Sequence, residues 1–156
     1  MQIHLIAIGE RMPAWVQAGY QEYARRLPGE CALNLVEITA GRRTKNTDTA
    51  RLVRDETQRL LAAVPKGAVV VALEVEGRAW STAQLAGQLD QWLHGGRDVA
   101  LLVGGPDGLD PLARNTAEQL WSLSPLTLPH PLVRILVAEQ IYRAWSVLRN
   151  HPYHRA

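Results

Sequence analysis

Four short apolar runs rich in β-formers, IHLIAI at 3–8, LNLVEI at 33–38, AVVVAL at 68–73 and VALLV at 99–103, are separated by stretches of helical periodicity. That alternation constrains the chain more than any other feature. Strand and helix in repeated turn, with short connections, predict an α/β domain with a mostly parallel sheet and helices on both faces. AVVVAL is nearly continuous in apolar residues, as a strand covered on both faces must be.

The helical stretches carry their own punctuation. Pro13 opens one that runs to about Arg26 and stops at Leu27-Pro28-Gly29. Thr47 or Asp48 caps the next, in which Val53, Leu60, Leu61 and Val64 share a face. Ser81 with Gln84 forms a capping box ahead of Leu85, Leu89, Trp92 and Leu93, closed by Gly95-Gly96. Asp110-Pro111 starts a short helix, and the longest runs from Leu132 to about Asn150. Its apolar stripe is wide; Tyr142 and Trp145 extend it toward either a homodimer surface or full burial. Met12, Trp15 and Tyr20 read as packing residues rather than base-stacking platforms.

The 156 residues show no internal repeat or linker, so residues 1–156 read as one domain. Seventeen Lys and Arg against 15 Asp and Glu leave a net charge of +2, too small for adhesion to a polyanion by bulk charge. Any nucleic-acid contact is therefore local. Cys31 stands alone, which excludes an internal disulfide and a thiolate zinc site and fits a reducing cytoplasm. The absence of a long apolar run predicts a soluble protein without a membrane partner.

In parallel sheets ligands gather at the carboxyl ends of the strands, here the loops after Leu73, Val103 and Leu123. The segment VGGPDGL at 103–109 has three glycines that admit close backbone approach, yet it matches neither a phosphate loop nor a dinucleotide fingerprint. It is a ligand-cradling loop or a plain turn. The segment SLSPLTLPHP at 122–131 combines three prolines with three leucines, and reads as a buried irregular loop, packed on its own core or against a flat heterocycle. The tail NHPYHRA at 150–156 can donate to phosphate, stack on a base and move a proton, or simply be solvated. Residues 42–59 hold six Lys or Arg and three Asp or Glu, a local excess suited to phosphate contacts or to a solvated helix face. No carboxylate or spaced ligand set joins His130, His151 and His154, so no metal is expected.

These segments, with MPAW at 12–15, GRRTKN at 41–46, LVGGPDG at 102–108 and SLSPLTLPHPLVR at 122–134, closely resemble the bacterial ribosomal RNA large-subunit methyltransferase H family, a minimal branch of the SPOUT superfamily. The likeness covers essentially the whole chain. It implies a homodimer with a deep trefoil knot in each C-terminal half and S-adenosyl-L-methionine bound there. Leu73, Gly104, Leu123, Ser124, Pro125, Leu126, Thr127 and Leu128 would contact the cofactor. The implied reaction is N3-methylation of pseudouridine 1915 in 23S rRNA of the assembled ribosome, with no DNA substrate. By residue type, His154 is the first choice of general base, with Tyr153 positioning the base and Arg155 holding phosphate or a developing anion; His130 is the substitute base. Arg42, Arg43, Lys45, Arg134 and Arg149 are the RNA-contact candidates. The competing readings are a noncatalytic ribosome- or RNA-binding homodimer and a nucleotide-binding hydrolase, the latter weakened by the lack of a nucleophile elbow.

Overall fold

A computed structural model describes residues 1–154. Five strands, β1 (Ile3–Ile8), β2 (Leu33–Ile38), β3 (Val69–Ala79), β4 (Val99–Val103) and β5 (Gln119–Ser122), form one sheet in the order β2-β1-β4-β3-β5. Every pairing is parallel. Five helices connect and cover them: α1 (Ala14–Ala24), α2 (Thr49–Ala62), α3 (Thr82–Gly95), α4 (Pro111–Thr116) and α5 (His130–Leu148). Because the strands are parallel, Gly9, Thr39, Gly104 and Leu123 all leave the sheet at one edge.

Period-two alternation splits the strand side chains between two cores. Ile3, Leu5, Val71, Val99 and Leu101 face one side, where Tyr20 of α1, Leu89 and Trp92 of α3, and Val137 and Ile141 of α5 close over them. Ile6, Ile8, Val70, Ala100 and Leu102 face the other, under Leu60 of α2 and Ala113 of α4. All five residues of β4 are buried, which is why it reads as uniformly apolar. The caps form as read. Asp48 and Asp110 side chains accept the amides of Arg51 and Leu112, the Ser81–Gln84 box is reciprocal, and Gly96 ends α3 at φ +72°.

The structure corrects several local readings and decides one left open on α5. A fifth strand, β5, follows α4, and β3 continues past Leu73 to Ala79. Their register jumps, with Trp121 facing both Leu73 and Arg78, so residues 74–77 bulge out of the ladder. Gly77 permits this because a Cβ there would stand 2.8 Å from the Leu120 carbonyl carbon. On α5, Tyr142 is buried and stacked on Trp145, whereas Leu132 and Leu136 are the exposed apolar residues. Trp15 of α1 is likewise exposed, at 58%, rather than packed. Finally, the Pro-rich loop is not buried throughout, since Leu126 is 71% exposed.

Candidate methyl-donor site

The three strand-end loops meet around one cavity of about 600 Å³. Leu73, Glu74 and Val75 from the β3 bulge form one wall, Val103 to Pro106 with Gly108 and Leu109 another, and Leu123, Ser124, Leu126, Thr127 and Leu128 a third. His130 closes it from the first turn of α5. Of the eight nominated cofactor contacts seven line the cavity, and Pro125 does not. The volume falls in the range of small-molecule sites, and the walls are mainly apolar with a few directed polar groups.

The glycine loop is shaped by exclusion. Gly108, at φ +77°, donates its amide to the Gly105 carbonyl at 3.0 Å and folds the loop back on itself. That return passes so close that a Cβ on Gly104 would stand 2.6 Å from the Gly108 carbonyl carbon. Only glycine at 104 leaves room for the turn. The opposite loop is held by its own hydroxyls: Ser122 Oγ donates to the Ser124 carbonyl and the Leu126 amide to Ser124 Oγ, at 3.0 and 2.9 Å.

Two ionisable side chains face the cavity. His130 Nδ1 is buried without a hydrogen-bond partner. Burial first, and then Arg134 and Arg43, push the His130 pKa below its usual value against an opposing pull from Glu56, so the ring is neutral near pH 7. Glu74, which sequence reasoning passed over, has its pKa raised by burial, with Arg114 opposing and Glu76 adding to the rise. Its signal in the sequence was a carboxylate following an apolar run, which is no more than an ordinary strand end.

An apolar site at parallel strand ends, cradled by a glycine loop, is shared by many folds, and comparison with known proteins separates them. The family model described as "Predicted SPOUT methyltransferase" matches residues 1–154. The chain belongs to the SPOUT methyltransferase family. It is 63% identical over 155 residues to a "Ribosomal RNA large subunit methyltransferase H" of Thioalkalivibrio sulfidiphilus, covering 99% of each chain. A protein of the same name from Methylococcus capsulatus is 61% identical, with 99% of this chain and 100% of that one covered. Among solved structures, a probable methyltransferase from Bordetella pertussis superposes with a TM-score of 0.56 at 16% identity, over 91% of this chain and 95% of that chain. A probable methylase from Haemophilus influenzae gives 0.53 at 12% identity, covering 99% and 70%. These two support the fold alone.

Within this SPOUT chain the remaining nominated residues divide sharply. Arg42 and Lys45 are exposed and make no ion pair among the described residues. Arg149 is exposed and pairs with Glu30 at 2.7 Å, a surface contact that leaves it accessible. Arg43 is held by Glu56 and Asp107. Arg134 is corrected from an RNA-facing to an internal role. At 1% exposure it donates to Glu37 at 2.7 Å and to the carbonyls of Ile8 and Gly9 at 3.3 and 2.6 Å, tying α5 to the ends of β1 and β2.

The tail lies at the other end of α5 from the cavity. Tyr153 donates its hydroxyl to Glu139 at 2.9 Å, under the Arg143 guanidinium and 4.6 Å from the Tyr142 ring centre. Burial, then the bond to Glu139, keeps the phenol protonated, its pKa pushed up to about 12. His154 Nδ1 is 3.2 Å from Ser146 Oγ. Ser146 lies about 24 Å and Glu139 about 14 Å along the helix from His130, at 1.5 Å per residue, and neither Tyr153 nor His154 lines the cavity of its own protomer. Arg155 lies outside the described residues. Among those residues no group of His, Cys, Asp and Glu is arranged to hold a metal, and no helix is long and apolar enough to cross a membrane.

Proposed function

We propose that the protein is a homodimeric methyltransferase that uses S-adenosyl-L-methionine to methylate N3 of the 23S rRNA pseudouridine named above, in the assembled ribosome, in the cytoplasm. The observation that carries this reading is the cavity itself, a glycine-cradled apolar site built from the segments implied by the family resemblance. The residues present fit the cofactor. Its adenine is a flat heterocycle with hydrogen-bonding edges, suited to the mainly apolar space between the Gly104–Gly105 backbone and the irregular backbone of residues 123–128. A trefoil knot in the C-terminal half belongs to the same reading.

The bound cofactor supplies an electrophilic methyl group on a sulfonium. The chain must then align the base nitrogen with that methyl and take up the N3 proton. His130 stands in the cavity wall, neutral, with a free buried ring nitrogen, and is the base supplied by the cavity's own protomer. Tyr153 and His154 reach the site from a second copy. Exposed Leu132 and Leu136 on α5, with Trp15 on the adjoining α1, offer the apolar patch for that copy. Two α5 helices packed antiparallel about a two-fold axis bring each tail to the other protomer's cavity end. Arg42 and Lys45 then meet RNA phosphates from the loop ahead of α2.

Mixing two inactive variants tests the arrangement. One carries Gly104→Trp in the cavity, the other ends at residue 150. If tails act across the dimer, re-equilibrated equal mixtures regain about a quarter of wild-type activity on ribosomes, because half the dimers are mixed and each holds one complete site. No recovery from demonstrably mixed dimers refutes the shared site. Absence of S-adenosylmethionine binding to the folded wild-type protein, with or without ribosomes, refutes the methyltransferase reading.

A further inference from the structure

Helix α2 touches neither the cavity nor the tail, yet it carries two adjacent buried polar residues, Glu56 and Thr57, each 1% exposed. A buried carboxylate is costly unless paired and fully hydrogen-bonded. Glu56 is both. Its Oε2 accepts the Gly41 amide at 2.7 Å and Arg43 Nη1 at 3.0 Å, and its Oε1 accepts Arg43 Nη2 at 3.1 Å. The same guanidinium donates from Nη1 to the Gly41 carbonyl at 3.1 Å and from Nε to Asp107 Oδ2 at 2.7 Å. Asp107 sits in the turn that walls the cavity, between Gly105 and Gly108. Thr57 Oγ1 accepts the Asp110 amide at 3.0 Å, fixing the end of the same loop where α4 begins.

The glycine loop is thus fastened at two points to one turn of α2. One fastening runs through the basic loop at 41–47. We propose that Glu56 is a positioning residue for the methyl-donor pocket, setting the Gly104–Gly108 turn through Arg43 and Asp107, and that Arg43 serves this tie rather than RNA. The inference rests on the methyltransferase reading for what the pocket binds, while the tie itself is a matter of loop geometry. It also makes the loop that presents Arg42 and Lys45 mechanically continuous with the pocket wall.

The test uses Glu56→Gln, Asp107→Asn and the double variant. Asp107 is substantially exposed, at 40% of its side chain, so its variant folds even if Glu56→Gln does not. Amide hydrogen exchange at Gly108 reads the turn without any ligand, and calorimetry reads S-adenosylmethionine affinity. Each single variant is expected to speed Gly108 exchange and weaken binding about tenfold, equivalent to ~1.4 kcal/mol. The double variant should be no worse than either single variant, since both cut one chain of contacts. Additive losses, or unchanged exchange and affinity in Asp107→Asn, overturn the proposal. So does an Asp107→Asn variant that loses only ribosome affinity. If the wild type binds no S-adenosylmethionine, the cofactor reading fails and the exchange data alone decide the tie.

Discussion

Gly104→Ala adds one methyl group at the point of closest backbone approach in the site. Its Cβ would lie 2.6, 2.7 and 3.0 Å from the carbonyl carbon, oxygen and Cα of Gly108. Carbon contacts settle near ~3.5–4.0 Å, so the turn must retreat by roughly 1 Å. Gly108 cannot move alone, because the hydrogen bond from its amide to the Gly105 carbonyl and the bridge between the two make the turn one unit. Asp107 travels with it and strains the 2.7 Å bond to Arg43. Overpacking of this kind costs about 1–3 kcal/mol, and each kcal/mol lowers Tm by about 2–4 °C in a domain of this size. The larger effect falls on function. Misplacing a reactant-positioning wall by about 1 Å can slow the reaction on the order of a hundredfold. Single-turnover methylation of ribosomes at saturating S-adenosylmethionine, with calorimetric Kd and thermal unfolding in parallel, measures all three. Gly87→Ala is the control, since that exposed residue of α3 has nothing within 4 Å of a new Cβ and should gain about 1 kcal/mol of helix stability. A Gly104→Ala enzyme with unchanged Kd and rate would remove this loop from the site.

Arg134→Met keeps an apolar stem but leaves Glu37 and the Ile8 and Gly9 carbonyls without their donor; a loss of about 3 kcal/mol is expected, seen as a lower urea midpoint at unchanged m. Undiminished stability with weakened ribosome binding would return Arg134 to the RNA surface. For His130 the folded-state pKa lies below the unfolded 6.5, so on acidification the unfolded chain takes up its proton first. The associated stability is complete above pH 6.5 and is lost as pH falls through the folded value, and activity that uses the neutral ring declines through that same lower value. His130→Gln should abolish both dependences; a wild-type acid limb that persists in the variant would assign it elsewhere.

The strands that sequence periodicity found most readily are those buried on both faces, because β4 has no polar position and β1 only His4 to confuse them with loops. The edge strand β5, with Gln119 and Leu120 half-buried and only four residues in all, carries no such pattern, and it is paired to β3 by a jump in register that alternation cannot encode. The caps were legible because their chemistry is local. Asp110 needs only the amide of Leu112, two residues away. Arg134 and Glu56 were not legible for the opposite reason. A charged residue on a helix reads as solvent-facing, and what buries these two comes from far along the chain: Glu37 lies 97 residues from Arg134, and Gly41 lies 15 from Glu56. The tail was recognisable by its residue types, but not its separation from the cavity, which follows from the length of α5 and the antiparallel run of that helix against the strands.

That separation and the internal use of Arg43 and Arg134 bear on how so weakly charged a protein could engage RNA. Of the three cations in the basic loop, Arg43 points inward to Glu56 and Asp107 while Arg42 and Lys45 remain exposed on either side of it. A loose loop bearing all three would offer more charge, but ordering its backbone and long side chains on binding would cost about 0.5–1.5 kcal/mol for each immobilised side chain. Pinning the loop through its middle cation moves part of that backbone cost into folding, so the two exposed cations proposed to meet RNA would do so on a backbone already set. The same pin ends on the turn that walls the methyl-donor cavity. On the proposed function, charge spent inside the protein does what additional surface charge could not: it would fix where RNA phosphates sit relative to the transferable methyl group, and alignment rather than attraction is what an in-line displacement requires.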